Sequence, residues 1–314
     1  MTRWTVSLAA LVVAGLCLAA TPGDSGAAEN VFSFQDTAGD HLDVLFAGRP
    51  VARYMYAFDT STQERAHETY KPYLHVLDTD GKTLLTKGPG GQYTHHRGIF
   101  IGWQKIRLGD KSYNLWEMAG GTLVHQKFLE QHATPSEARF TSLVHWRIKD
   151  DAKPIIEEER TMVLRHRPAP VIALVDFMTR LKAVREDLVL DGDPEHGGVQ
   201  YRPANEVDKQ ATTYLFPKDG VDPRKDKDLP WAAMSCVLGG KRYSVQHMNH
   251  PDNPKDTLYS AYRDYGRFGA FFKRELKQGA ELRLHYRIRV TAGDLPSREE
   301  LQKQYEEFVG STRK

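Results

Sequence analysis

Four short stretches hold most of the side chains able to move protons or grip a ligand. The first is Tyr93-Thr94-His95-His96-Arg97-Gly98, set between Gly88-Pro89-Gly90-Gly91 and the apolar Ile99-Phe100-Ile101. Gly and Pro punctuate regular structure, so His95, His96 and Arg97 fall where a loop hands over to a strand. Rigid scaffolds often present functional groups at such places. The second stretch runs from Glu195-His196-Gly197-Gly198 through Gln200 and Arg202 to Glu206. The third is His247-Met248-Asn249-His250-Pro251-Asp252-Asn253-Pro254, and the fourth is Tyr262-Arg263-Asp264-Tyr265-Gly266-Arg267.

Imidazole titrates near neutrality, so His96 and His250 are the candidate general base and general acid. Glu195 or Tyr265 would supply a second proton relay. Arg97 and Arg202 suit a hydroxyl or carboxylate, or negative charge developing on a ketone oxygen. His95, His196, Gln200, Asn253 and Arg263 complete the substrate-binding set. Such groups fit a hydrolase, a lyase or an epimerase acting on a sugar. A two-carboxylate hydrolase would instead draw on Glu195, Glu206, Asp252 and Asp264. Each stretch taken alone also reads as a satisfied loop network. His125 reads as structural, and Cys236, in an apolar strand, as an inert core residue.

Two other readings use the same residues. A metal site could draw on His95 or His96 with His196, His247 and His250, and on Asp252 or Asp264; zinc, copper or iron would accept that mixture. No His-Glu-x-x-His spacing supports it, and adjacent His95 and His96 on a strand would face opposite ways. No metal or other cofactor is therefore assigned. A non-catalytic carbohydrate-binding protein would stack sugars on Trp103, Trp116, Tyr201 and Tyr265. The clustered histidines favour catalysis, because stacking needs none.

The balance of 43 basic against 41 acidic residues, net +2, gives no footprint for nucleic acid. Arg3, the apolar Val6 to Ala20 and the small residues Gly26-Ala27-Ala28 read as a secretory signal over residues 1–28, cleaved before Glu29 or earlier, after Ala20. The apolar run is short for a membrane span, so no integral anchor is expected. Export to the periplasm or beyond, from a bacterial-type cell, follows. Of the two cysteines only Cys236 would remain, so no internal disulfide can form and the core must hold the domain.

The elements that must position these groups read as strands. Leu282, Leu284, Tyr286, Ile288 and Val290 recur at period two, with Arg283, His285, Arg287 and Arg289 on the other face. Residues 155–164 and 171–181 are long enough to pair. Asp78-Thr79-Asp80-Gly81 marks a hairpin between 73–77 and 83–86, and 98–106 reads as the strand after the histidines. The Gly-, Pro- and Asp-rich 191–228 reads as a functional or disordered loop region. Ser297-Arg298-Glu299-Glu300 is a capping box opening a helix that ends at Gly310, with Leu301, Tyr305 and Phe308 as its docking stripe. Many short strands argue for one all-β domain over 29–314, a large β-sandwich with a C-terminal helix.

The His95-His96-Arg97-Gly98 strand, Gly197-Gly198 with Arg202, the His250-Pro251-Asp252-Asn253-Pro254 turn and Arg263-Asp264-Tyr265-Gly266 occur in this order in sequences that the chain resembles, the PmoA-like family. That resemblance implies a β-sandwich, with a galactose-mutarotase-like supersandwich as one form. It also implies a secreted protein whose relatives accompany sugar-degrading enzymes, so a small-molecule or oligosaccharide substrate is the expected partner. The methane-oxygenase label attached to the family implies several membrane spans, which the sequence after residue 28 lacks.

Overall fold

The structure, a computed structural model, describes Met1 and residues 30–312. The signal reading of residues 1–28 lies outside the described residues, Met1 apart. In chain order the strands are β1 Phe32–Thr37, β2 His41–Phe46, β3 Arg49–Met55, β4 Tyr73–Val76, β5 Ile99–Trp103, β6 Lys105–Leu108, β7 Lys111–Tyr113, β8 Gly121–Ala133, β9 Glu137–Ile148 and β10 Pro154–Arg165. They continue as β11 Val171–Ala183, β12 Leu188–Asp191, β13 Gly197–Tyr201, β14 Thr213–Leu215, β15 Trp231–Leu238, β16 Lys241–Asn249, β17 Leu258–Tyr259, β18 Phe268–Phe271, β19 Arg274–Leu276 and β20 Glu281–Ala292. Among the described residues two α-helices join them, α1 Gln63–Thr69 and α2 Arg298–Thr312.

The strands form two eight-stranded antiparallel sheets and one of four. The first sheet runs β1-β2-β3-β4-β5-β13-β18-β17, the second β14-β15-β16-β20-β11-β10-β9-β8, and the small one β19-β12-β6-β7. The architecture is therefore all-β, a large sandwich with a C-terminal helix. Facing aromatics join its two layers: Trp103 lies 6.0 Å from Trp146, and Tyr54 5.0 Å from Phe140. These alternate along their strands with residues on the opposite faces, as a period-two backbone requires. β10 and β11 pair as expected, with Glu158 opposite Leu181.

Several boundaries differ from the sequence reading. Residues 83–86 make only bridges, Leu77 with Leu84 and Thr86 with Pro203. The strand expected over 98–106 is split at Gln104, so β5 belongs to the first sheet and β6 to the small one. Residues 191–228 are not one long loop, because β13 lies near the middle of the first sheet. Its glycines are there for close approach. A Cβ on Gly198, whose φ is +77°, would lie 1.9 Å from the Ala270 carbonyl oxygen. Helix α2 starts at the expected capping box, with the Glu300 amide donating to Ser297 Oγ at 3.2 Å. It keeps a helical backbone through Gly310 to Thr312. Leu301 and Phe308 dock it with Trp231 and Met248. Among the described residues no helix is long and apolar enough to cross a membrane.

Candidate functional site

Phe100 in β5 and Gln200 in β13 are register partners, and both point away from the sandwich interior that receives Ile101 and Trp103. Over this outer face of the first sheet passes the 114–118 loop. Gly102 lets it approach, since a Cβ there would lie 2.4 Å from the Leu115 carbonyl oxygen. Trp116 consequently lies against Phe100, with ring centroids 4.7 Å apart.

His95 and His96 reach the same face from a turn rather than from a strand. Tyr93 has a φ of +55°, and its carbonyl accepts from the His96 amide at 2.9 Å. The turn overturns the expectation of opposite-facing imidazoles, because the two rings meet edge to face at 4.5 Å. His96 also lies 5.1 Å from Tyr93, 6.1 Å from Tyr265 and 6.1 Å from Trp116. Tyr93, 43 % exposed, forms the outer lip. His196 approaches Trp116 from another side at 6.3 Å, and its Nδ1 bonds Asp193 at 2.8 Å.

Glu195 is gripped by Arg263 in a two-pronged pair, Nε to Oε2 at 2.8 Å and a terminal nitrogen to Oε1 at 2.7 Å. Arg267, beneath it, reaches Glu195 at 3.4 Å and donates to Gln200 Oε1 and Ser260 Oγ, each at 3.1 Å. Arg202 donates to the carbonyls of Pro203 and Tyr265, and its guanidinium lies 4.8 Å from the Tyr265 ring. Arg97 spends its terminal nitrogens on carbonyls of Thr94, His96, His67 and Glu68, the last two in the closing turn of α1. That satisfies helix-end acceptors, so Arg97 fastens α1 to the histidine turn.

Sequence reasoning missed Lys71. It is 2 % exposed, donates to the Trp116 carbonyl at 2.7 Å, and lies 4.4 Å from the Phe100 ring centre. Burial, then neighbouring Arg97, pushes its ammonium well below the usual lysine range. Lysine seldom lies inside, and nothing in Tyr70-Lys71-Pro72-Tyr73 marks this one except its aromatic flanks. Burial is also the main reason both site imidazoles stay neutral. His95 is pushed down to about 3 by burial, with Lys71, His196, Arg97 and Arg267 adding to it. His96 is pushed down further, by burial and then by Arg267, His95, Arg202 and Lys71.

The expected set thus divides. His95, His96, Glu195, His196, Gln200, Arg202, Arg263 and Tyr265 share contacts on the first sheet, with Arg97 behind them. His250 and Asn253 are drawn into the second sheet's helix-covered face. His250 Nε2 bonds Thr312 Oγ1 at 2.8 Å, and its ring stacks on His285 at 5.4 Å. Asn253 clips β20, donating to the His285 carbonyl and accepting from its amide, each at 2.8 Å. Of the proposed stacking rings, Trp103 and Tyr201 are core residues. Among the described residues no three His, Cys, Asp or Glu side chains gather closely enough to hold a metal ion. Cys236 is buried and its thiol is pushed up to about 12, as expected of an inert core residue.

A largely buried polar and aromatic cluster, on the side of one layer turned away from the interior of a two-layer β-sandwich, is the class of arrangement that the chain displays. Residues 41–306 match the model of a family of unknown function (DUF6807), and the chain belongs to that family. No curated protein matches the sequence. Among solved structures, the chain is similar to a beta-arabinopyranosidase at 10 % identity and a TM-score of 0.39, covering 78 % of this chain and 39 % of that one. It is similar to a candidate kojibiose phosphorylase from the human microbiome at 7 % identity and 0.36, covering 83 % and 32 %. A candidate aldose 1-epimerase from Escherichia coli K12 is similar at 8 % identity and 0.31, covering 83 % of this chain and all of that one. The chain therefore spans less than half the length of the first two.

Proposed function

We propose that the protein is an exported carbohydrate-active enzyme that performs acid–base chemistry on a sugar at the outer face of the first sheet. The observation that carries this reading is the gathering of two imidazoles, His95 and His96, with the rings of Tyr93, Trp116 and Tyr265 beside the Glu195–Arg263–Arg267 group. Aromatic rings suit the apolar faces of a sugar, and neighbouring donors and acceptors suit its hydroxyls. His96 and Glu195 are the proposed proton-transfer groups, with Tyr265 as a further relay. His95, His196, Gln200, Arg202 and Arg263 hold the substrate. His250 takes no part in this scheme, since its contacts are on the second sheet.

The PmoA-like resemblance and the signal reading of residues 1–28 support export and a sugar-degrading setting. Hydrolase, lyase and epimerase chemistry all remain within the proposal. The test is an activity screen of the chain from Glu29 on neutral and acidic sugars and oligosaccharides, with and without chelator. Anomer exchange, new reducing ends and unsaturated products are followed separately. Turnover that His96→Ala abolishes while binding survives supports the enzyme. Binding without turnover on any substrate replaces it with a binding protein. Turnover lost on chelation replaces it with a metal-dependent enzyme.

A further inference from the structure

The cations of this face outnumber its carboxylates. Lys71, Arg97, Arg202 and Arg267 are each at most 2 % exposed. Among the described residues, the hydrogen bonds of Lys71, Arg97 and Arg202 end on backbone carbonyls and none of the three forms an ion pair, although Glu117 lies near enough to Lys71 to act on its charge. Arg267 shares Glu195 with Arg263, the closer partner. The two imidazoles among them add no negative charge.

A chain of ring contacts links these charges. Lys71 and His96 both border Phe100 and Trp116. Arg202 and His96 both border Tyr265. Lys71 and Arg97 both border Tyr70. Around the same rings, His95 Nε2, His96 Nδ1, Trp116 Nε1 and the Nε atoms of Arg202 and Arg267 are buried with no hydrogen-bond partner among the described residues. Each unmatched group of this kind is costly, and a buried charge without a counter-charge is more so. Five unmet nitrogens and three cations with no ion-paired carboxylate among the described residues, in one cluster with aromatic rings, ask for an anion.

We propose that the sugar bound here is an acidic one, a uronate whose carboxylate lies among Lys71, Arg202, Arg267 and the imidazoles of His95 and His96. This rests on the carbohydrate reading above and narrows its substrate class. A carboxylate carries one charge and two acceptor oxygens, which suits single nitrogens converging from several sides. A phosphate ester would bring a second negative charge toward Glu195, which Arg267 contacts at 3.4 Å. Binding would also ready the chemistry, since an anion beside His96 offsets the cations that help to keep its imidazole neutral.

The test is calorimetric titration of the chain from Glu29 with D-glucuronate, D-galacturonate, D-glucose, D-galactose and D-glucose 6-phosphate. The uronates are expected to bind at least about tenfold more tightly than their neutral counterparts, the worth of one good charge-assisted contact. Lys71→Met leaves the Trp116 carbonyl without its donor, so its melting without ligand serves only to show that it folds, and the folded variant should lose that tenfold margin. Uronates binding no better than neutral sugars overturn the acidic assignment and leave the carbohydrate reading intact. A phosphate ester binding more tightly than both uronates overturns the carboxylate. Failure of all five to bind overturns the acidic assignment, and the carbohydrate reading then stands or falls on the oligosaccharide screen. If Lys71→Met does not fold, Arg202→Gln carries the same affinity comparison. A margin unchanged in a folded variant overturns the proposal.

Discussion

The two layers of the sandwich treat buried charge differently. In the second sheet Arg160, wholly buried, is held by both oxygens of Glu158 at 2.8 Å, and Glu158 also accepts from Trp146 Nε1 at 2.7 Å and Thr179 Oγ1 at 2.9 Å. Asp176 likewise serves Arg287 at 2.5 and 2.9 Å, and pairs with Arg165. On the outer face of the first sheet, Lys71, Arg97 and Arg202 have only peptide carbonyls. The contrast separates two uses of one residue type. Cations closed by their own carboxylates hold the fold together, whereas cations answered by the backbone alone are those the proposed uronate would meet.

The largest expected effect spans both layers. Burial pushes His75, His95 and His247 each down to about 3 and His125 down to about 4. The unfolded chain therefore takes up protons first as pH falls, from about 6.5. Their contribution to stability is complete above that pH and drains as pH drops toward 4 and then 3. Urea midpoints should fall steadily across this window, before most carboxylates titrate; a flat profile from pH 7 to 5 would contradict it. Next in size, Glu158→Gln strips Arg160 of its counter-charge and should cost about 3–5 kcal/mol in denaturant unfolding, whereas Lys71→Met, which loses a hydrogen bond to the Trp116 carbonyl but strips no counter-charge, should cost less. Equal losses would erase the contrast between the layers. Gly102→Ala forces a Cβ against the Leu115 carbonyl, with an expected cost of about 1–3 kcal/mol. Ligand affinity should fall with it, as Trp116 is displaced. Smallest, Ser297→Ala removes the α2 cap for about 1 kcal/mol and should leave ligand affinity unchanged, which titration can check.

Legibility in the sequence followed the range of the interaction. The alternation of β20 and the capping box at Ser297 are written in neighbouring residues, and both elements form where those residues indicate. The β13 strand was hidden because Gly197 and Gly198 resemble a loop until Phe271 and the Ala270 backbone are seen packed against them. The joint placement of His95 and His96 depends on the positive φ of Tyr93, a residue that does not favour that conformation. His250 sits in a turn as polar as the other three stretches. Only the docking of α2, bringing Thr312 and Phe308 to it, separates it from them. The paired acids of the second sheet likewise gave no sign of which arginines would go without.

The bond from Trp103 Nε1 to the Phe272 carbonyl joins residues 169 apart in the chain, and Arg263 grips Glu195 across 68. Closing such distances is slow, because chain entropy is lost before any contact repays it. The histidine turn is made early in synthesis, yet the face it belongs to exists only after β18 has paired with β13. A shortened chain that stops before residue 260 would keep His95 and His96 and lose the floor beneath them. Ligand capture would then serve as a clock for the last stage of folding, rising only when the carboxyl-terminal third of the chain has joined the sheets.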